Sequence, residues 1–363
     1  MKRYFLCITV IAFLLLSCIK TKQGDLLEIP IDIHQNNSLP LSEIAEEITA
    51  IELELTDENV INPTYFQRII ISENEVFIAD RSKIFVFSKT GKFIRSIGSQ
   101  GQGPREYTYI KNFALDKKNK RLLITSYNRK IISYDLNGNF LKEKLLPNAD
   151  MDDINYISGE LLLLVNRINS DSKEVYSHST LYQLSNDLQF VDSCTIRDLN
   201  FERFNGTLHH YENFILKGNK SVYLYYGDFF IRNNSVEKVL RDTLYRFENN
   251  RLIPELKLKF KNDESGKFIN LYNIYRSSRY IFAVYGNANN PGKIYSFCYD
   301  TKTGKGYNMQ DDKYMDDINQ IEDPVRICPF NLDTEMFYYL HTHMKPDDLE
   351  EPNPTLYIGK LKK

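Results

Sequence analysis

The sequence predicts an all-β chain folded as a six-bladed β-propeller, with an N-terminal strand completing the last blade. Three observations carry that expectation. A two-strand phrase recurs six times: an apolar run, a loop, then Thr or Lys followed by an aliphatic residue and an aromatic one. The second members end at residues 87, 134, 184, 247, 299 and 359, a repeat of 47 to 63 residues that holds four short strands and their turns. The sixth repeat stops at Lys363 after three strands, while the alternating segment 48–55 (ITAIELEL) has no hairpin partner near it. Letting that segment supply the missing strand leaves no open sheet edge.

In chain order, the first element is a targeting segment. Lys2 and Arg3 precede an apolar run from Phe5 to Leu16, too short for a membrane span and suited to a signal peptide covering residues 1–17. Ser17 before Cys18 resembles a lipobox, so Cys18 is expected to be diacylated and to become the mature N-terminus. Two acyl chains suffice for stable anchoring. Residues 18–40 are then expected as a lipid-anchored tether, and 41–363 as one propeller domain. Ile19 after the cysteine suits the outer membrane, and no acidic run follows it, so a periplasm-facing address in a bacterial envelope is expected.

Residues 41–47 (LSEIAEE) read as a short helix or turn with Ser42 as a cap. The first strands of the phrase are expected at 75–79, 121–125, 161–165, 221–226, 279–285 and 335–340. The second strands are expected at 83–87, 130–134, 180–184, 243–247, 293–299 and 355–359, each followed by a short Asn-, Asp-, Gly- or Lys-rich turn. Tyr (25) and Phe (22) dominate while Trp is absent, which suits half-buried pleated surfaces. Cys194, Cys298 and Cys328 are too scattered for a disulfide framework and read as buried thiols. The net charge of −2 supplies no basic face for nucleic acid.

Leu41 to Glu46 before a strand, Gly91-Lys92-Phe93-Ile94, Gly101-Gln102-Gly103-Pro104-Arg105-Glu106-Tyr107, Asp242-Thr243-Leu244-Tyr245 and Ser277 to Phe282 resemble the six-bladed propeller lipoproteins of Bacteroidetes. That family is similar in shape to NHL propellers. The resemblance implies the fold and the address, and it transfers no catalytic residue and no cofactor.

Function is expected on the face that carries the inter-blade loops and the loops leaving the first strand of each phrase. The glycine-rich corner 98–107 leads into a strand rather than a helix, so it is no phosphate cradle. Its glycines read as architectural, with Arg105 and Tyr107 as candidates to line the channel mouth. The other candidates on that face are Arg81, Tyr127, Arg129, Arg167, Tyr226, Asp228, Tyr285, Asn287, His341 and His343. Stacking faces and bidentate donors suit a glycan, peptide or protein partner. The two histidines place both imidazoles on one side of an extended segment, half of a metal site at most, and no metal, cofactor or catalytic residue is assigned. A binding or scaffold protein is therefore the leading expectation. A hydrolase or lyase acting on exported glycan or peptide is the alternative.

Overall fold

The computed structural model describes residues 26–61, 68–170, 174–202, 215–232, 235–239, 242–261, 269–287, 290–311, 313–343 and 352–363. The expected signal segment and Cys18 lie outside them. Six four-stranded antiparallel units form a closed ring, as the repeat predicted. The first blade is Arg68–Ile71, Glu75–Ala79, Ile84–Ser88 and Phe93–Ile97, from the axis outward. The second is Ile110–Asp116, Arg121–Ser126, Lys130–Asp135 and Phe140–Leu145, and the third Asp150–Ile157, Glu160–Ser170, Glu174–Leu184 and Phe190–Glu202. The fourth is Ile215–Gly218, Ser221–Leu224, Thr243–Glu248 and Arg251–Lys261, and the fifth Ile269–Arg276, Tyr280–Asn287, Ile294–Asp300 and Lys305–Gln310. The sixth takes Cys328–Asn331, Met336–His341 and Thr355–Leu361 from the end of the chain and Ala45–Glu52 from its beginning.

That last pairing is the closure the sequence anticipated. Ala45–Glu52 runs antiparallel to Thr355–Leu361, with Ile51 opposite Leu356 and Thr49 opposite Ile358. The core explains why the second strands read as unbroken apolar runs. It divides into six clusters, one between each pair of neighbouring blades. In the first blade Phe77 and Ala79 pack toward the second, while Val76 and Ile78 pack toward the sixth. A strand covered on both sides has no solvent face to keep polar. Outermost strands do, and Phe140–Leu145 (FLKEKL) alternates between half-buried and exposed accordingly.

Two expectations need correction. The stretch 18–40 is not wholly a tether: Leu27–Asp32 adds to the fourth blade as a fifth, parallel strand beside Arg251–Lys261. Its alternation buries Ile29 and Ile31 completely between blades four and five. The chain then follows the outside of the fifth blade, where Asn37 donates to the Asn308 carbonyl at 2.7 Å, and Leu39–Pro40 pairs with Tyr314–Met315. The helix of 41–47 shrinks to Leu41–Ile44, and Ser42 does not cap it. The Ser42 backbone N–H and hydroxyl instead bind the Asp317 carboxylate, at 2.9 and 2.5 Å.

Innermost strands leave one edge unpaired, facing the axis, and those backbone groups need partners. Arg68 provides them. Its Nη1 donates to the carbonyls of Phe113 and Ile154, both at 3.1 Å, and to Asn112 Oδ1 at 2.9 Å, and it lies 3.4 Å from Asp153. Its Nη2 donates to Asn155 Oδ1. Asp153 accepts from Asn112 Nδ2 at 2.8 Å and from the Ile215 backbone N–H at 3.0 Å. One guanidinium and one fully buried carboxylate thus tie blades one to four together.

Removing the cation leaves that carboxylate buried and uncompensated. Arg68→Met should therefore cost about 3–5 kcal/mol in urea unfolding. Adding Asp153→Asn should recover a large part of the loss. Equal and additive costs would show that the two side chains act separately.

Candidate functional site at the channel mouth

The two ends of the ring differ. At one end, first strands turn into second strands, and third into fourth, through tight turns such as Ser158–Gly159 and Asn249–Asn250, whose residues adopt positive φ. The opposite end carries the long connections, including 98–109 and 313–327, and an inserted hairpin, Asp228–Arg232 with Ser235–Val239, in the fourth blade. The third blade also rises there, its second to fourth strands running 11, 11 and 13 residues. Elaboration confined to one end marks it as the face free to vary around a fixed scaffold.

At this end blades two, three and four bring a charged cluster together. Lys111 Nζ lies 2.5 Å from Asp150 and 3.0 Å from Asp152. Tyr226 donates its hydroxyl to Asp152 at 2.7 Å, and the Arg197 guanidinium stacks 4.5 Å over the Tyr226 ring. Burial works against the Lys111 charge, but the carboxylates of Asp152 and Asp150 outweigh it and hold the ammonium above its usual pKa. Burial, with Asp152 beside it, pushes the Tyr226 hydroxyl well up. Beside the cluster stand two exposed tyrosines. Tyr127 is 55% exposed with its ring 5.8 Å from Lys111 Nζ, and Tyr109 is 49% exposed, its carbonyl accepting from the Tyr127 N–H.

Of the sequence candidates, Tyr127 and Tyr226 meet here. Tyr107 does not line the mouth: it has no exposed surface, packs between blades one and two, and donates its hydroxyl to the Ser82 carbonyl at 2.9 Å. Gly98 makes room for it, since a Cβ there would run into the Tyr107 ring. Arg105 turns to the outer flank, 5.1 Å over Phe140, with its carbonyl bound by Tyr134. Tyr285 is also core, fully buried and bonded to Asn308. Arg167 lies back along its own sheet against Tyr182. Arg81 and Arg129 are exposed, each giving its carbonyl to the start of a neighbouring segment, at Ile110 and Leu146. Asn287 is nearly buried, and Asp228 begins the inserted hairpin.

His341 and His343 do stand together, ring centroids 4.5 Å apart, but His343 Nε2 is 2.7 Å from the Tyr357 hydroxyl. Burial and the neighbouring His343 lower the His341 pKa. Among the described residues no three His, Cys, Asp or Glu side chains gather as a metal site. Tyr109 and Lys111 escaped the sequence reading, and Asp152, whose acidic run 150–153 reads in the sequence as solvated loop charge, is buried with Asp153 instead. Alternation carried no signal for Tyr109: positions 107 and 109 would share a face in a simple strand, but the chain bends at Thr108 and Tyr109, burying Tyr107 and exposing Tyr109.

The chain matches, over residues 26–362, the family described as Domain of unknown function (DUF4934), and it belongs to that family. Among solved structures it is similar to a Bacteroides fragilis NCTC 9343 protein assigned to export by its name. The TM-score is 0.66 at 17% identity, covering 93% of this chain and 100% of that one. It also resembles, at 11% identity and TM-score 0.43, the Neurospora crassa Pan2 WD40 domain, over 82% of this chain and 76% of that one. No functionally curated protein matches. Among the described residues no helix is long and apolar enough to cross a membrane.

The buried carboxylate makes the mouth testable. Lys111→Met, which strands Asp152, should cost about 3 kcal/mol. Tyr226→Phe, which removes one hydrogen bond while Lys111 remains, should cost about 1 kcal/mol. Chemical denaturation checks both. The Lys111 contribution should persist at neutral pH and fade only as pH climbs through its raised pKa, because deprotonation then removes the ion pair.

Proposed function

We propose that this protein is a non-catalytic binding or scaffold protein that recognises a glycan, peptide or protein partner at the channel mouth over blades two to four. The observation that carries the reading is the pair of exposed tyrosines, Tyr109 and Tyr127, set beside a charge cluster whose members hold one another in place. Tyrosine offers large contact area at low entropic cost, and a rigid base keeps it there. The hydrolase or lyase reading is less well supported. An acid–base catalyst wants a group that exchanges protons near neutrality. Lys111 is held more basic than usual and Tyr226 less acidic, which moves both away from that range.

The address is part of the proposal. We place the protein among the lipid-anchored propellers of the bacterial outer membrane, facing the periplasm, with a shape akin to NHL propellers. The support is the sequence Leu15-Leu16-Ser17-Cys18 behind an apolar leader, with the exported Bacteroides fragilis neighbour consistent with it. The membrane is then a partner through acyl chains on Cys18.

A glycan and peptide array probed with the protein lacking residues 1–24 tests the first part. Ligands retained by the native chain should bind Tyr109→Ser/Tyr127→Ser at least about 10-fold more weakly. Unchanged binding would move the site elsewhere. For the address, mass spectrometry of the mature N-terminus should find diacylated Cys18. An unmodified residue at any other start contradicts the anchor.

A further inference from the structure

Below the Arg68 tie the channel widens into a cavity of about 370 Å³, on the side of the short turns. It lies within the ordinary range of small-molecule sites, roughly 300–1,000 Å³. It is separate from the mouth described above. Lys117 and Ser158, both in short turns, mark its opening, and the Arg68 and Asn155 side chains form its inner end. Its walls mix polar and apolar surface, the apolar part supplied by residues such as Leu115, Leu216, Pro329 and Phe330.

The charges of the lining have one sign. Arg68, Lys117 and Lys217 contribute to it, and no Asp or Glu does among the described residues. Asp153, which balances Arg68, is fully buried and does not line the cavity, and Asp333 pairs with Lys217 at 2.6 Å. Lys117 is exposed at the opening.

The second observation is an amide. Asn155 is only 4% exposed, lines the cavity, and its Nδ2 has no hydrogen-bond partner among the described residues. Its orientation is not free to reverse. Arg68 donates to Oδ1, and a flipped amide would set two donors against each other. A buried donor left unmatched in this way is uncommon, and it asks for an acceptor.

We propose that this cavity binds a small amphipathic carboxylate. The carboxylate accepts from Asn155 Nδ2 at the inner end, and the apolar body lies against Leu115, Leu216 and Phe330. Lys117 at the opening attracts the anion from solvent. A bare inorganic anion would leave the apolar walls wet. A neutral apolar molecule would leave the Asn155 donor unmatched.

Phenylacetate and its uncharged analogue phenylacetamide are suitable probes, read by thermal unfolding and calorimetric titration. Phenylacetate should raise the melting temperature saturably, with half the effect at or below about 1 mM, and phenylacetamide should act at least about 10-fold more weakly. Asn155→Asp keeps an acceptor for Arg68 but removes the donor and adds a negative charge; it should abolish the phenylacetate effect. Lys117→Glu, at an exposed position, should weaken it several-fold without changing the melting temperature of the free protein. Should Asn155→Asp fail to fold, Lys117→Glu alone decides. No saturable shift with phenylacetate, equal shifts with both probes, or full binding by Lys117→Glu would overturn the proposal and leave a water-filled channel.

Discussion

The ring depends on how its centre is satisfied. Six innermost strands turn unpaired edges toward one axis, where water alone would have to solvate their carbonyls and amides. Arg68 and Asp153 replace part of that water with fixed partners on four consecutive blades. An isolated buried ion pair gives little net stability, because desolvation offsets the attraction. Here the carboxylate also accepts from a backbone amide and the guanidinium caps two backbone carbonyls. The pair therefore serves geometry: it sets the distance between inner strands, and the six apolar clusters pack around that spacing.

The periphery follows a different logic. The N-terminal stretch crosses the outside of blades four and five before it enters blade six. Three separate pairings of early residues with late ones then hold the ring, through Leu27–Asp32, Leu39–Pro40 and Ala45–Glu52. Long-range pairing of this kind is entropically costly to form. It covers the edge of Arg251–Lys261, passing the outer edge of the fourth blade to a strand interrupted by Pro30, and it fills the gap in the sixth.

Much of this was legible in the sequence, for a definite reason. Strands covered on both sides must be apolar throughout, so EVFIA and ELLLLV announce themselves, and six such runs at a steady interval specify the architecture. The orphan strand was found because its alternation lacked a partner. Leu27–Asp32 was missed although LEIPID alternates just as well, since Pro30 demotes a strand and nothing local showed the edge it would cover. Arg68 was invisible for a similar reason: in RIII a leading cation looks like a solvated strand end, and only ring closure brings it against Asp153. Loop geometry rather than residue type sorts the site candidates: Tyr127 is exposed at the mouth and Tyr226 lies buried beneath it with its hydroxyl on Asp152, whereas Tyr107 and Tyr285 turn into the core between blades.

The same tie divides the channel. Above it, Lys111 and Arg197 balance Asp150 and Asp152, so the mouth offers shape and aromatic surface more than net charge. Below it, the carboxylate that balances Arg68 is hidden, and the charged groups that line the cavity among the described residues are all cations, beside an unmatched amide. Each end thus has its own electrostatic character, set by which side of one ion pair it sees. A through-channel would average the two; a partition across blades one to four keeps them distinct. Recognition at the elaborated end and a small anion at the plain end are therefore compatible uses of one ring, because neither requires the partition to move.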